Sequence, residues 1–417
     1  MGRRGTRRLI AATAAIGLAL GLAACAPEPP VIDVGVDQVE GSLPDDVRAE
    51  LQAATERAIE ATGSTGAIVG VYAPWSGQWV EGLGTTGPDG AAVEPDMTFK
   101  ATAVTRAMTC DVLYALAAAD AVELDDTVTE LVETYPNVSD ITLAQLCDST
   151  SGIHGYMNAL RKRLIANPER VWTSREIAAY GLAQDRAFAP GKRYADSDTG
   201  YVLLGIVLER VTGKTLGALY DEYVFEPLGL EKTTYRAAAG VPDDRLGGFY
   251  STTVDDRVDC ADPVDLTALS PSAGSAASGV TSTVDDLATY VQALATGART
   301  YDVPGRWEDA RQVSDGAPSW FTADGGAFQA GSLIGQHGSL FGYMTSAYAD
   351  RETGLAVVVV LNNSRASSAI ARVLSWQLAA IASKAPAADG RTAPEAGLPW
   401  TAESLADQID KLAVCPA

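Results

Sequence analysis

The pairing of a serine with a lysine that would activate a nucleophile is missing from this chain. A serine three residues before a lysine on a helix puts a hydroxyl and an amine on one face, where the amine can deprotonate the hydroxyl. None of the seven lysines has a serine three residues before it. The two histidines, His154 and His337, form no sequence-local cluster typical of a metal site. We therefore expect no metal and no cofactor.

Ala103 and Arg106 lie three residues apart in the octapeptide Phe99-Lys-Ala-Thr-Ala-Val-Thr-Arg106. Alanine has no oxygen, and arginine stays protonated in proteins, so it cannot act as a general base. The octapeptide resembles the nucleophile motif Phe-x-x-x-Ser-x-x-Lys of class C serine β-lactamases, D-Ala-D-Ala carboxypeptidases and related esterases. Both catalytic residues of that motif are replaced here.

Further segments follow the order of that family. Ile141–Ile153 resembles its Leu-Leu-x-His-x-Ser-Gly-Leu helix, with Ser149 at the histidine position. The other matching segments are Asp125-Asp126-Thr-Val, Pro190-Gly191, Thr199–Gly205, Val211-Thr-Gly213, Glu226–Leu230 and Ser278–Leu287. The resemblance implies an α+β, β-lactamase/transpeptidase-like fold, in which helices flank an antiparallel sheet and a mainly helical region is inserted.

The second catalytic motif of the family, Tyr-x-Asn, corresponds to Asp196, Ser197 and Asp198. The tyrosine of the family serves as a base or proton relay, and an aspartate is too short for that role. These changes fit one another, because a buried arginine needs a carboxylate partner. We therefore expect Arg106 to pair with Asp196 or Asp198, in a geometry that could be bidentate, inside the former catalytic space.

The third motif of the family, Lys-Thr-Gly or His-x-Gly, corresponds to Gln336-His337-Gly338. Alignment on Gly342-Tyr343 puts Gln336 at the histidine position, whereas a slip of one residue puts His337 there. The resemblance also assigns a hole of two backbone N–H groups to Ala103 and Ser339, and such a hole survives side-chain replacement. The predicted pocket comprises Ala103, Arg106, Asp196, Asp198, His337, Gly338 and Ser339.

The N-terminus resembles a bacterial lipoprotein signal peptide. Four arginines precede an apolar run over residues 9–24, which ends in Leu22-Ala-Ala-Cys25. We expect cleavage before Cys25 and acylation of its sulfur, which would anchor the protein at the extracytoplasmic face of the cell membrane. An ordinary secretory signal is the alternative, and Thr6-Arg7-Arg8-Leu9-Ile10 also resembles a twin-arginine export signal.

The composition excludes several classes of partner. The formal net charge is −22, and it becomes −26 once the four leader arginines are removed. Acidic residues are spread along the chain and no basic cluster occurs, so we expect no nucleic-acid binding and no electrostatic adhesion to anionic lipid.

Four cysteines follow Cys25 in the sequence, which are Cys110, Cys147, Cys260 and Cys415. An even number in an exported protein favours two disulfides, with three connectivities open, and buried free thiols are the alternative. The geometry of the family implies the pairs Cys110 with Cys147 and Cys260 with Cys415.

Hydrophobic patterning predicts the elements that must position these residues. We predict a helix over 45–62, strands over 66–72 and 77–83, a mainly helical region over 99–297, strands over 343–350 and 355–361, and a helix over 364–383. The predicted organisation is a signal peptide (1–24), a polar tether (25–44), the β-lactamase-related domain (45–385) and a C-terminal linker with a short helix (386–417).

Three functional interpretations follow. The first is a catalytically inactive, lipid-anchored protein that binds a peptidoglycan peptide or an envelope protein in the retained cleft. The second is an active serine hydrolase with a displaced nucleophile, and the third is a structural envelope scaffold. The candidate hydroxyls for a displaced nucleophile are Ser197, Ser339, Thr102 and Thr105. A solvent-open cleft lined by Gly338, Ser339, Tyr194 and Tyr201 would favour ligand binding, and a sealed one would favour scaffolding.

Overall fold

The structure is a computed structural model that describes residues 31–132, 135–238, 240, 244–301, 305–395 and 397–415. The predicted signal peptide and Cys25 lie outside these residues. The helices are α1 (Asp45–Thr62), α2 (Val104–Ala118), α3 (Val128–Leu131), α4 (Leu143–Cys147), α5 (Met157–Ala166), α6 (Ser174–Leu182), α7 (Asp198–Thr212), α8 (Leu216–Tyr220), α9 (Glu226–Leu228), α10 (Ser275–Ser278), α11 (Val284–Thr296), α12 (Ala369–Ala382) and α13 (Ala402–Leu412). The strands are β1 (Gly66–Ala73), β2 (Gly77–Gly84), β3 (Phe99–Lys100), β4 (Phe249–Tyr250), β5 (Thr253–Val254), β6 (Arg257–Val258), β7 (Val264–Asp265), β8 (Thr281–Ser282), β9 (Arg311–Gln312), β10 (Phe321–Asp324), β11 (Ala327–Ala330), β12 (Leu333–Leu340), β13 (Tyr343–Asp350) and β14 (Ala356–Leu361).

The main sheet joins the two ends of the family domain. Its order is β2-β1-β14-β13-β12-β11-β10-β9, and every neighbouring pair is antiparallel. The N-terminal hairpin β1–β2 therefore adds to a C-terminal meander through the pairing of β1 with β14, for example Val69 opposite Val359. This arrangement confirms the predicted sheet with an inserted helical region.

Helices cover both faces of this sheet, which explains why β1, β13 and β14 are buried along their whole length. Successive side chains on a strand point to opposite faces. In β14, Val358 and Val360 enter a core shared with α2, α7 and α11, whereas Val357 and Val359 enter a core shared with α1, α12 and α13. The site is built where α2 and α12 approach β12 from these two sides.

The last predicted helix begins later than the sequence suggested. It was expected from residue 364, but α12 begins at Ala369. The preceding asparagines hold an irregular segment instead, because Asn362 Oδ1 accepts hydrogen bonds of 3.0 Å from the amides of Thr65 and Gly66. Asn363 Nδ2 donates to the carbonyl of Gly63 at 2.9 Å. The strands β9 to β11 were not predicted.

Residues 31–44 lie along the domain and differ in this respect from the free tether suggested by their composition. The amide of Ile32 donates to the carbonyl of Pro227 at 2.8 Å, and the amide of Val39 donates to that of Pro74 at 3.1 Å. The side chain of Leu43 is buried beneath α1. The C-terminal segment also packs on the domain, because Leu405 and Ile409 of α13 join the core of α1 and α12.

Two disulfides tie the helical region and the C-terminus in place. Cys110 of α2 is bonded to Cys147 of α4, and Cys260 is bonded to Cys415. This is the pairing that the family resemblance implied. No helix in the described ranges is both long and apolar enough to cross a membrane.

Candidate functional site

The start of α2 has a strained backbone. Thr102 has φ +48°, a conformation that is uncommon for a β-branched residue and costs about 1–3 kcal/mol. Ala103 follows as the N-cap residue, and its side chain lines a cleft while remaining mostly buried. The structure therefore keeps a tight turn at the position that the resemblance assigns to the nucleophile, although the side chain there is a methyl group.

Arg106 lies one turn further along α2 and forms the central ion pair of the site. Its Nη2 donates to Asp198 Oδ1 at 2.6 Å, and its Nη1 donates to Asp196 Oδ1. The two Nη atoms of the guanidinium thus donate to two different carboxylates, and neither carboxylate is bound in a bidentate manner. The ring of Tyr201 lies 5.1 Å from the guanidinium carbon and closes the space behind it.

The charges of this cluster, Arg106 with Asp196 and Asp198, are unequally exposed. The side chain of Arg106 is 6% exposed, that of Asp198 is 16% exposed, and that of Asp196 is 58% exposed. Burial alone lowers the pKa of Arg106, but the two carboxylates raise it well above its usual value. Burial and the neighbouring Asp196 raise the pKa of Asp198 despite the attraction of Arg106. A single cation therefore faces two carboxylates, and it cannot give up its proton.

The chain folds locally so that α7 presents Asp198. Ser197 is the N-cap of α7, and its Oγ accepts a hydrogen bond of 3.1 Å from the amide of Gly200. Asp198 then occupies the first turn, where a carboxylate is favoured by the helix dipole. The hydroxyl of Ser197 is thus engaged in capping.

The strand β12 forms the other wall of the cleft, and its pleat settles the alignment of the third motif. A Cβ atom placed on Gly338 would lie 2.4 Å from the Cβ atom of Ala103. Because side chains two residues apart share a face, Gln336 also points toward α2. Gln336 is buried, and its Nε2 donates to the carbonyl of Gly326 at 3.0 Å. Gln336, and not His337, therefore occupies the motif position.

His337 points to the opposite face of β12. Its Nδ1 is hydrogen-bonded to the hydroxyl of Tyr348 at 2.8 Å, and its ring lies 4.7 Å from that of Phe328. Burial lowers the pKa of His337 well below its usual value, and the positive charges of Arg372 and Arg106 act in the same direction. The imidazole is therefore neutral. His154 is exposed and does not line this cleft.

The cleft between these elements is open and has a volume of about 320 Å³. It includes every residue of the predicted pocket, namely Ala103, Arg106, Asp196, Asp198, His337, Gly338 and Ser339. Tyr194 lines it as well, whereas Tyr201 is buried and donates its hydroxyl to the carbonyl of Cys147 at 2.6 Å. The cleft is therefore open to solvent and is not sealed.

The candidate hydroxyls differ in their accessibility. Thr102 is fully buried, and Thr105 is buried with its Oγ1 accepting a hydrogen bond of 3.2 Å from the amide of Val280. Ser339 is exposed at the cleft. With Ser197 engaged in capping, Ser339 is the only one of these four hydroxyls that lines the cleft.

Sequence reasoning missed Arg372, which lines the cleft from α12. Its guanidinium carbon lies 4.8 Å from the ring centroids of both Phe321 and Trp376. The available signal was its isolation, because Arg372 is the one charged residue in the helix Ala369–Ala382. A lone charge in a buried apolar helix indicates a functional or paired position.

A second acidic pair supports the hairpin that carries Phe321 and Phe328 into the cleft. The Oδ1 atoms of Asp148 and Asp324 lie 3.0 and 2.9 Å from the same donor, the amide of Gly325. Burial raises the pKa of Asp148 to about 7, and the nearby Asp324 acts in the same direction. No group of three or more metal-ligating side chains suited to a metal ion occurs in the part of the chain that the structure describes.

Comparison with known proteins places this architecture. A D-aminopeptidase of Brucella anthropi is 24% identical over 292 residues, covering 67% of this chain and 52% of that protein. The chain thus spans about half the length, or less, of the curated relatives it matches.

Solved structures match along most of their length. A D-stereospecific amidohydrolase from Streptomyces sp. has a TM-score of 0.66 at 25% identity, covering 75% of this chain and 94% of that one. D-amino acid amidase from Ochrobactrum anthropi SV3, in complex with L-phenylalanine amide, has a TM-score of 0.66 at 21% identity, covering 78% of this chain and 93% of that one. The family model described as Beta-lactamase matches residues 51–380. Since that match runs from α1 to α12, this chain belongs to the Beta-lactamase family and has the β-lactamase/transpeptidase-like fold.

Proposed function

We propose that this protein is a catalytically inactive member of the family that binds a cell-wall peptide or a protein partner in the open cleft. The observation that carries the proposal is the ion pair of Arg106 with Asp196 and Asp198, which fills the space where a nucleophile and its base would act. The cleft itself is retained, with a volume of about 320 Å³.

The chemistry of the replaced residues supports inactivity. Covalent hydrolysis needs a nucleophile and a group that takes its proton. Ala103 supplies no nucleophile, and the pKa of Arg106 is raised well above its usual value by its two carboxylate partners. Asp196 is itself bound to Arg106 and stands where the family has a tyrosine. Several steps of the family reaction are therefore blocked at once.

The retained geometry supports peptide binding. β11 pairs with β12 only as far as Gly335, so the segment Gln336–Leu340 has a neighbouring strand on one side only. An extended peptide can hydrogen-bond to such an edge. The similar proteins include a D-aminopeptidase and a D-amino acid amidase, and we extend their ligand class, without the reaction, to this cleft.

The leader supports a location at the extracytoplasmic face of the cell membrane. In this proposal Cys25 carries the lipid, and the chain reaches the domain surface within a few residues, because Ile32 is already hydrogen-bonded to Pro227. The high negative charge of the domain disfavours close adhesion to anionic lipid, so the lipid chain alone would hold it there.

A second candidate function rests on Ser339. This serine is exposed at the cleft, and His337 lies two residues earlier on the same face of β12. In the tautomer whose Nδ1–H donates to the hydroxyl of Tyr348, Nε2 keeps the lone pair that could take a proton from a nucleophile. No hydrogen bond joins Ser339 to His337 within the described residues, so inactivity remains the proposal that the geometry favours.

Covalent labelling tests this choice. The purified protein is incubated with a fluorescent penicillin and with a fluorophosphonate probe, beside the Ala103→Ser/Arg106→Lys variant and a Ser339→Ala variant. We expect no label on the wild-type chain. Specific label that disappears in Ser339→Ala would contradict the proposal and establish the displaced nucleophile.

A further inference from the structure

The cleft carries charges of opposite sign on its two sides. On the α2 side, the single positive charge of Arg106 faces Asp196 and Asp198, and the exposed part of Asp196 lines the cavity. On the α12 side, Arg372 lines the same cavity, and no carboxylate in the described ranges forms a salt bridge with it. The two sides therefore attract different ends of a bound molecule.

Among the described residues, the positive charge of Arg372 has aromatic neighbours but no carboxylate partner. The guanidinium carbon lies 4.8 Å from the ring centroids of both Phe321 and Trp376, and Nε is buried without a hydrogen-bond partner among the described residues. Burial lowers its pKa, but arginine stays protonated in proteins. Keeping an unpaired cation partly out of water is costly, and an anionic group of a ligand would offset that cost.

The start of α12 favours an anion at the same place. Ser368, the N-cap residue, also lines the cavity, and its side chain makes no capping hydrogen bond. The amides of Ala369 and Ile370 already donate to Oγ and the carbonyl of Ser367, at 3.3 and 2.9 Å. The attraction for negative charge at this end therefore comes from the dipole of a helix of 14 residues. Arg372 and the helix terminus thus act on the same group.

The surface between the two sides is uncharged. His337 is neutral between the arginines, since its pKa is held down by burial and by both of their charges. Tyr194 lines the same cleft, and burial and the charge of Asp196 raise its pKa well above the usual value. The cleft volume of about 320 Å³ is near the lower end of the usual range for small-molecule sites, about 300–1,000 Å³. A small ligand with separated charges fits this surface.

We propose that the ligand is a short zwitterionic peptide, held with its ammonium group at Asp196 and its carboxylate at Arg372 and the N-terminus of α12. This inference rests on the proposed function, because it takes the cleft as a binding site without turnover. A simple anion would be repelled by Asp196, and a simple cation by Arg372. The free edge of β12 between the two sides supplies backbone groups for the peptide bond.

Calorimetric titration with three dipeptides tests the inference. They are D-alanyl-D-alanine, its N-acetyl derivative and its C-terminal amide. We expect the free dipeptide to bind to the wild-type protein and either blocking group to weaken binding at least tenfold. Arg372→Gln should remove the preference for the free carboxylate only, and Asp196→Asn should remove the preference for the free ammonium only. Arg161→Gln, on the exposed face of α5, is the matched control and should change neither.

The outcomes separate this inference from the function on which it rests. Blocked and free dipeptides that bind within threefold of each other would overturn the zwitterion, as would a carboxylate preference that persists in Arg372→Gln. Absence of binding by all three peptides would also overturn it. In that case, absence of covalent labelling by the penicillin and fluorophosphonate probes would still support catalytic inactivity. Release of free alanine during the titration would instead contradict the proposed function.

Discussion

Replacing Arg106 by leucine removes the cation from a cluster that contains two carboxylates. The side chains of Arg106 and Asp198 are 6% and 16% exposed, whereas that of Asp196 is 58% exposed. Removing one partner of a buried ion pair costs about 3–5 kcal/mol, because the other charge stays buried. We therefore expect Arg106→Leu to lower the free energy of unfolding by about that amount. Asp196→Asn should cost less than about 1 kcal/mol, as for an exposed pair.

The pH dependence separates the lost ion pair from poor packing of the leucine. Burial already raises the pKa of Asp198, and loss of Arg106 raises it further above the value of about 3.9 in the unfolded chain. The native variant then binds the proton more tightly than the unfolded chain does. Its stability is full below about pH 4 and falls as the pH rises through the raised native pKa. The deficit relative to wild type should therefore be larger at pH 7.5 than at pH 4.5.

Urea unfolding followed by tryptophan fluorescence measures this deficit, provided that the dependence on urea concentration stays the same. Arg161→Leu, on the exposed face of α5, is the matched control and should change stability by less than about 0.5 kcal/mol. The reasoning is refuted if Arg106→Leu lies within about 1 kcal/mol of wild type at pH 7.5. It is also refuted if the deficit is the same at both pH values.

Three further predictions follow from the same geometry. Gly338→Ala should lower the free energy of unfolding by about 1–3 kcal/mol, because the new Cβ atom would lie 2.4 Å from the Cβ atom of Ala103. The control Gly316→Ala should leave the free energy of unfolding unchanged in the same urea titration, because no atom lies within 4 Å of its new Cβ atom. The free energy of unfolding of the wild-type protein should fall as the pH rises from about 4 to about 7, because the raised pKa of Asp148 lets the native state hold a proton that the unfolded chain has released. Asp148→Asn should make this fall smaller. An unchanged slope in the variant would contradict the raised pKa of Asp148. Cys260→Ser/Cys415→Ser removes a disulfide that closes a loop with a sequence separation of 155 residues, and it should lower the free energy of unfolding by about 2–5 kcal/mol. Amide hydrogen exchange should become faster in α13 only. Equally faster exchange throughout the domain would show that α13 does not unfold independently of the rest.

The Arg106 cluster was predictable because its parts lie in local motifs. Ala103 and Arg106 are separated by one helical turn, and Asp196 and Asp198 flank the N-cap of α7. A buried arginine needs a carboxylate partner, and the two aspartates were the partners that the motifs offered. It was not predictable that the guanidinium of Arg106 would donate to both aspartates, because this depends on how closely α7 approaches α2.

The isolation of Arg372 in an apolar helix marked it as unusual, but its position in the cleft was not predictable. Arg372 comes from a helix far along the chain, and it meets the cleft only after β12 to β14 have placed α12 opposite α2. The register of the third motif likewise needed the pleat of β12. A shift of one residue exchanges the faces of Gln336 and His337. Alignment on Gly342-Tyr343 favoured Gln336, and the contacts of Gln336 and Gly338 on the α2 side agree with that alignment.

The two terminal segments differ from the expectation for a related reason. Residues 31–44 contain three acidic residues and a proline, which favours a free tether, yet six of them are apolar and Leu43 is fully buried against the first helix. In the C-terminal segment, Trp400 stacks on Trp376 at 4.8 Å and donates from its Nε1 to the carbonyl of that residue at 3.0 Å. A few apolar residues in a polar segment are enough to fix it when they meet a partner that composition does not reveal.

Binding without turnover is the central claim, and one experiment with D-alanyl-D-alanine tests it directly. The dipeptide is held with the purified protein for a day while its proton NMR spectrum is followed. We expect saturable line broadening of the dipeptide and its full recovery, with saturation of Arg372→Gln only at concentrations at least tenfold higher. Steady release of free D-alanine in proportion to the protein concentration, abolished by Ser339→Ala, would contradict it.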